Sequence, residues 1–439
     1  MKYFYCCVFL CSYFACFSQN HQLIDTTDYD KRKLLISKIE GENEIFTKEI
    51  KSSYKGKLRK EVLSFYEESQ NRFLELIKNK KFLFQERFEN YSDSLFSTLA
   101  QNNPIVKEKK ISLFLAKTPS PNAFSIGNGS IILNVGLFSF LDNEQQLLSI
   151  MAHEAAHEVL QHTKRSIESK AKLNISVLAK NSGLYRSIKA EKFNRGSRSF
   201  DMLKNLLYED GEKQRKNEVE ADSLGYLLYK NTGASKTEYI NALLKLKKYD
   251  SVPAIVLDSA TYKKVFDLPE QPFKKAWTER EDFGVYNYDN YKEKIDLDSI
   301  QDHPEVQQRI DKLQSTFPEL NDSNIHITVN NTFKDLKRIA NLAYAENLFY
   351  LNEYGLSTYL ILKHLEDNYD DPYFQKWLSI NFNAIYDAKK KYQLNRYVDR
   401  IAPAEQSQSY QRFLNFIWNL NLNEIKIIAT YYGGVTGLN

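Results

Sequence analysis

Two histidines with a glutamate beside them form the stretch of this 439-residue chain that is best suited to chemistry. His153, Glu154 and His157 make the pattern His-Glu-x-x-His. On a helix, His153 and His157 lie one turn apart on the same face, where both imidazoles can bind one zinc ion. Glu154 then points beside the metal and can take a proton from a water on it. The pattern predicts metal-assisted hydrolysis.

A later helical segment offers a third ligand. Glu218 and Asp222 are four positions apart, so they share a helix face. Glu218 can bind the metal, and Asp222 can accept the outer N–H of a coordinated imidazole and fix the orientation of the ring. Glu220 competes for the ligand role. Glu218 is preferred because only it has an aspartate four residues on.

The next histidine is predicted to take no part in this site. His162 follows His153 by nine positions, which is about 180° around a continuous helix. A helix that carries His153 and continues to about Ser169 therefore turns His162 away. We expect a histidine of another site or an exposed one. Asp142 is the predicted N-cap of this helix, with Gln145 at the capping-box position.

The segments that precede this helix predict a small sheet. Residues 110–117 and 130–135 are rich in β-branched and aromatic side chains, and Gly127-Asn128-Gly129 predicts a hairpin turn. A protease can hold a peptide extended by adding it to the edge of a sheet. An ordinary core hairpin is the alternative.

The cysteines indicate how the chain is handled in the cell. All four lie among the first sixteen residues, in an apolar run that follows Met1-Lys2 and precedes Ser18. This arrangement predicts a signal peptide at residues 1–18 and an exported protein of the bacterial periplasm or cell envelope, without a transmembrane span in the mature chain. Acylation of Cys16, as in a lipoprotein, is the competing interpretation.

Composition and periodicity indicate the kind of partner and the division of the chain into regions. Hydrophobic residues make up 42% and the net charge is only +4, which argues against a nucleic-acid partner. Residues 19–104 show helical periodicity, residues 105–325 hold the site, and residues 326–439 are again helical. Tyr354-Gly355 and Asp371-Pro372 between helices resemble a degenerate tetratricopeptide unit, which would bind a protein partner. A plain helical bundle braced against the catalytic domain is the alternative.

Several motifs together resemble one family. These are Asn-Ala-Phe at 122–124, Gly-Asn-Gly-Ser at 127–130, His-Glu-Ala-Ala-His at 153–157, Glu-Val-Glu-Ala-Asp at 218–222 and Asp-His-Pro-Glu at 302–305. Their order is similar to that of the M48 zinc metallopeptidases, in particular the soluble exported branch associated with envelope quality control. The resemblance implies a gluzincin-type fold, one Zn²⁺ held by His153, His157 and Glu218, and Glu154 as the catalytic acid and base. It also implies that Asn122, Ala123 and Phe124 belong to the edge strand that aligns the substrate.

Two residues near the end of this region have open roles. His303 precedes Pro304, and the resemblance implies that it lies near the metal. It is either a hydrogen-bond donor to the tetrahedral intermediate, a reversible fourth ligand, or only a cap or surface residue. Arg309 either stabilises the oxyanion or forms a salt bridge to a buried acid.

We therefore predict an α+β protein with a mostly helical catalytic domain, a small sheet beside the active-site helix and a helical C-terminal region. Its predicted function is that of an exported zinc metalloendopeptidase that hydrolyses envelope or secreted proteins. The alternatives are a chaperone-like or scaffold protein with a vestigial zinc site, and a zinc hydrolase that does not cleave peptides.

Overall fold

The computed structural model describes residues 28–178, 212–249, 255–279, 306–321, 329–403 and 406–437. The predicted signal peptide, Cys16 and His303 lie outside the described residues. No helix in the described ranges is both long and apolar enough to cross a membrane.

Helices dominate the fold, as the periodicity of the sequence predicts. In chain order the α-helices are α1 Tyr29–Ser53, α2 Gly56–Lys78, α3 Glu86–Gln101, α4 Pro104–Glu108, α5 Gly136–Phe140, α6 Glu144–Val159, α7 His162–Leu178, α8 Glu212–Lys230, α9 Lys236–Tyr249, α10 Ser259–Phe266, α11 Val306–Thr316, α12 Asn331–Leu342, α13 Tyr344–Tyr350, α14 Tyr354–Asp367, α15 Pro372–Lys390, α16 Gln408–Asn419 and α17 Leu422–Val435. The α+β class, with one small sheet beside the histidine helix α6, is confirmed.

The sheet has three short strands, β1 Ser112–Ala116, β2 Ala123–Ser125 and β3 Ser130–Asn134, in the order β1-β3-β2. β1 runs parallel to β3, and β2 pairs with β3 as the predicted antiparallel hairpin, with Phe124 opposite Ile132. Among the described residues, β2 has no strand partner on its other side. β2 is therefore an edge strand.

The hairpin is held against α6 by a carboxylate. Glu158 accepts hydrogen bonds from the backbone N–H groups of Gly127, at 2.7 Å, and Gly129, at 3.2 Å, and from the hydroxyl of Ser125. Both glycines have positive φ, +78° and +81°, which favours residues without a Cβ. One residue of the histidine helix thus fixes the turn that carries the edge strand.

Each face of the sheet packs on its own apolar core. Side chains alternate along a strand, so Ile131 and Leu133 pack with α6, α8 and α9, whereas Ile132 points to the other face. That second core joins the N-terminal helices α1 and α2 to the C-terminal helices α13–α17. The C-terminal helices therefore share a core with the sheet, and the domain division at residues 104 and 325 stays a prediction.

Two buried lysines connect the sheet to the C-terminal helices. Lys117, directly after β1, places its Nζ 4.2 Å from the centre of the Tyr350 ring, and Lys81 Nζ donates to the Tyr350 carbonyl at 2.8 Å. Burial lowers the pKa of both lysines to about 8. These contacts fit a bundle braced against the sheet. The tetratricopeptide interpretation stays a prediction.

Candidate metal centre

Three side chains from two helices converge in the core of the protein. His153 Nε2 and His157 Nε2, both on α6, are 3.0 Å apart, and they lie 3.4 Å and 3.6 Å from the carboxylate oxygens of Glu218 on α8. All three side chains are buried, and one ligand atom from each lies within 4.8 Å of the others. Two imidazole nitrogens and a carboxylate that converge in this way fit one divalent cation of the zinc class.

Close packing of α8 on α6 brings Glu218 to the histidines. Gly225 lies on the face of α8 that contacts α6, and a Cβ there would be 2.9 Å from the Cα of His153 and 2.6 Å from the hydroxyl of Tyr239. A glycine is therefore needed for the two backbones to approach this closely. The sequence does not reveal this role, since a single glycine inside a helical pattern carries no clear meaning on its own.

The imidazole of His153 rests against a buried ion pair. Its Nδ1 lies 3.0 Å from Asp222 Oδ1. Arg309 on α11 donates from Nε and Nη2 to both oxygens of Asp222 at 2.7 Å, and its Nη1 is 3.2 Å from Glu218. The salt bridge was one of the two predicted roles of Arg309. Asp222 thus lies where it was predicted to orient the ring.

Neighbouring charges explain why the buried side chains of Asp222 and His153 stay ionised. Burial opposes every charge here, but Arg309 outweighs it and lowers the pKa of Asp222 to about 2. Burial also opposes a cationic His153, yet Asp222 and Glu218 raise its pKa to about 10. Burial lowers the pKa of His157 well below its usual value. The carboxylates of Asp222 and Glu218 thus favour a positive charge at His153 Nε2. A metal ion can supply that charge when it replaces the proton on this nitrogen.

His162 lies beside the centre, and the prediction that it faces away is wrong. Helix α6 ends at Val159, Gln161 has φ +56°, and α7 begins at His162, so the helix does not continue to Ser169. The break turns His162 back toward α6, where its Nδ1 is 2.8 Å from His157 Nδ1. It is not one of the three converging ligands. It contacts one of them, His157, at Nδ1, whereas Glu218 contacts that ring at Nε2.

Glu220 is a neighbour of His162 and lies apart from the three ligands. Its Oε2 is 3.2 Å from His162 Nε2 and 3.0 Å from Arg165 Nη2, at the border of the solvent. Glu218, by contrast, is buried between the two histidines. The predicted preference for Glu218 over Glu220 as the third ligand therefore agrees with the arrangement of the two side chains.

A cavity opens beside the three ligands. Glu154 lines it together with His153, one of the three ligands, and Asn122 and Ala123 line it where the edge strand β2 begins. The apolar part of the lining is formed by Leu137, Ile150, Leu243, Leu246 and Val306. Phe124, the third predicted substrate residue, points instead into the second core. The cavity thus brings together the Glu154 carboxylate, one of the three converging ligands and the start of the edge strand.

The N-cap of α6 differs by one residue from the prediction. Asn143, rather than Asp142, accepts from the backbone N–H groups of Gln145 and Gln146, both at 3.0 Å. Asn143 also donates to the buried carboxylate of Glu238 on α9. Because neighbouring polar residues cap equally well, this long-range contact, which the sequence does not reveal, distinguishes the two positions.

The family comparison covers the region that holds this centre. The model of peptidase family M48 matches residues 87–317, more than half of the chain. The chain belongs to peptidase family M48. The matched region includes α6, α8, α11 and all three strands.

Curated relatives of this M48 peptidase match over a shorter stretch. The beta-barrel assembly-enhancing protease of Escherichia coli K12 is 37% identical over 78 residues, which is 18% of this chain and 16% of the relative. The protein of the same name from Yersinia pestis is 29% identical over 91 residues, 21% of this chain and 18% of the relative. The chain therefore matches less than a fifth of the length of either relative.

Proposed function

We propose that this M48 peptidase is a zinc-dependent endopeptidase that cleaves exported or envelope proteins. One observation carries the proposal. Glu154, which is adjacent to the first of three converging metal-type ligands, lines a cavity that Ala123 of the edge strand β2 also lines. A general base, a metal position and a place for an extended peptide are thus combined in one cleft.

His153, His157 and Glu218 would hold the ion. Bound zinc would lower the pKa of a water toward ~7 and polarise the scissile carbonyl. Asp222 holds the His153 ring in place, and Arg309 balances the charge of the buried carboxylates of Asp222 and Glu218. His303 is proposed as a further residue near the metal, from the motif alone.

Glu154 would transfer the proton between the attacking water and the leaving amine. Its carboxylate accepts a proton from the attacking water and delivers it to the amine of the leaving peptide, which a general acid and base must do for amide hydrolysis. The side chain is buried and lines the cleft, so water can reach it through the cleft. In this reaction Glu154 is a catalytic residue and binds no metal.

The edge strand would align the substrate. Asn122 with Asn134, and Ile126 with Ser130, are joined by backbone hydrogen bonds to β3, so the peptide groups of Ala123 and Ser125 face the open side of β2. An extended peptide would add there as a further strand. The apolar part of the cleft, with Leu243 and Leu246, would take an apolar side chain of the substrate.

The place of action is proposed from the N-terminal sequence and from the names of the relatives. The apolar, cysteine-bearing start of the chain predicts export, and both relatives named above are beta-barrel assembly-enhancing proteases. The proposed substrates are therefore proteins of the envelope or the secreted proteins that pass through it.

Removal of the metal tests the proposal. We expect a chelator to abolish hydrolysis of casein by the full-length protein, and one equivalent of zinc, but not magnesium, to restore it. Casein is used because it is unfolded and offers extended segments. Hydrolysis that persists without metal would contradict a zinc mechanism. A protein that binds zinc but cleaves neither casein nor peptides would favour the chaperone-like or scaffold alternative.

A further inference from the structure

A chain of hydrogen bonds leads from the proposed metal ligand His157 to the surface. His157 Nδ1 is 2.8 Å from His162 Nδ1, and His162 Nε2 is 3.2 Å from Glu220 Oε2. Arg165 Nη2 completes the chain, 3.0 Å from the same oxygen of Glu220. His162 is 1% exposed, whereas Glu220 and Arg165 lie at the solvent border.

The order of the contacts allows one position for the ring proton of each of the two histidines, His157 and His162. His157 presents Nε2 to His153 and Glu218, so its ring proton belongs on Nδ1 when Nε2 binds a cation. That N–H donates to His162 Nδ1, which must then be unprotonated. His162 therefore carries its own proton on Nε2 and donates it to the carboxylate of Glu220. The alternating donors and acceptors select one tautomer of both rings.

A local feature of the backbone brings the two rings together. On a continuous helix His162 would lie about 140° around the axis from His157. The left-handed conformation of Gln161, which costs free energy in a residue other than glycine, turns the chain so that the two rings meet edge to face with their centres 4.8 Å apart. Such strain persists where the surrounding contacts stabilise it.

We infer that His162 is a positioning residue that fixes the tautomer and orientation of His157, with Glu220 and Arg165 holding His162 in turn. The inference rests on the proposed metal site and extends it. The two histidine ligands are then supported differently. His153 is held directly by the Asp222 carboxylate. His157 is held by the neutral ring of His162, which itself contacts Glu220.

Zinc affinity is the quantity that this arrangement should control. Partners that orient a metal ligand typically contribute ~10–100-fold in metal affinity. We expect His162→Leu in the full-length protein to weaken zinc binding by that factor, measured by competition with a chromophoric chelator. His162→Asn should recover much of the loss, because its Oδ1 can accept the His157 proton. The matched control is His364→Leu, which should leave the affinity unchanged, because His364 of α14 stacks on Phe374 of α15.

Cobalt gives a second readout that a packing role alone would not change. We expect the visible absorption of the Co²⁺-loaded protein to shift in His162→Leu and to return toward the wild-type spectrum in His162→Asn. If His162→Leu does not fold, His162→Asn and Glu220→Ala decide the matter. Glu220→Ala should weaken zinc binding several-fold, because Glu220 holds His162 from the solvent side.

The outcomes separate this inference from the proposed function. Wild-type protein that binds zinc, together with folded His162→Leu that binds it within twofold of wild type, would overturn the positioning role alone. Equal losses in His162→Leu and His162→Asn would do the same, since they would indicate lost packing. Wild-type protein that fails to bind zinc would instead overturn the proposed metal site itself.

Discussion

A protein that carries Glu154→Gln should keep one zinc ion per chain and lose ~10²–10⁴-fold in kcat for casein or a peptide. Glutamine has the shape of glutamate but cannot accept the proton of the attacking water. The metal should be retained because the three converging ligands are His153, His157 and Glu218. Turnover and bound zinc are to be measured on the same preparation.

The matched control is Glu144→Gln, the same change in the first turn of the same helix. Glu144 accepts from the backbone N–H of Asn330 at 3.2 Å, a contact that glutamine can preserve. This variant should retain wild-type turnover. Full hydrolysis by Glu154→Gln would show that Glu154 is not the proton acceptor, and loss of zinc from this variant would show that its effect is structural.

The second large effect is expected on stability. Arg309→Met should lower the free energy of unfolding by ~3–5 kcal/mol, because it leaves the buried carboxylates of Asp222 and Glu218 without their cation. Urea unfolding of the metal-free protein measures this directly. Bound zinc should reduce the deficit, since the ion compensates part of the same negative charge.

An exposed ion pair supplies the comparison for Arg309. Arg87 contacts Asp335 at 2.9 Å with both side chains well exposed, so Arg87→Met should cost far less stability than Arg309→Met. Similar losses for the two variants would mean that Arg309 does not balance buried charge. Arg309→Lys should fall between them, because lysine keeps the charge but cannot donate to both oxygens of Asp222.

The sequence predicts those parts of the site that depend on local spacing. A four-residue step on a helix defines a shared face, so the pairs His153 with His157 and Glu218 with Asp222 lie as their spacing predicts. The glycines around Asn128 likewise predict the hairpin because they supply the positive φ that its turn requires. These features need no knowledge of distant contacts.

The features that the sequence did not reveal depend on tertiary packing. Nothing in Leu160-Gln161 marks the end of α6, since neither residue is a glycine or proline, and this break decides where His162 lies. Gly225 and Asn143 acquire their roles only through contacts with Tyr239 and Glu238 on another helix. Helical spacing cannot predict such contacts, because it describes one helix at a time.

Zinc stoichiometry in two glutamate variants tests the central claim most directly. Native mass spectrometry of the full-length protein at saturating zinc should find one ion per chain in the wild type and none in Glu218→Ala. Glu220→Ala, two positions away on the same helix, should still hold one ion, although more weakly. Zinc retained in Glu218→Ala, or lost only in Glu220→Ala, would contradict the assignment of His153, His157 and Glu218 as the metal centre.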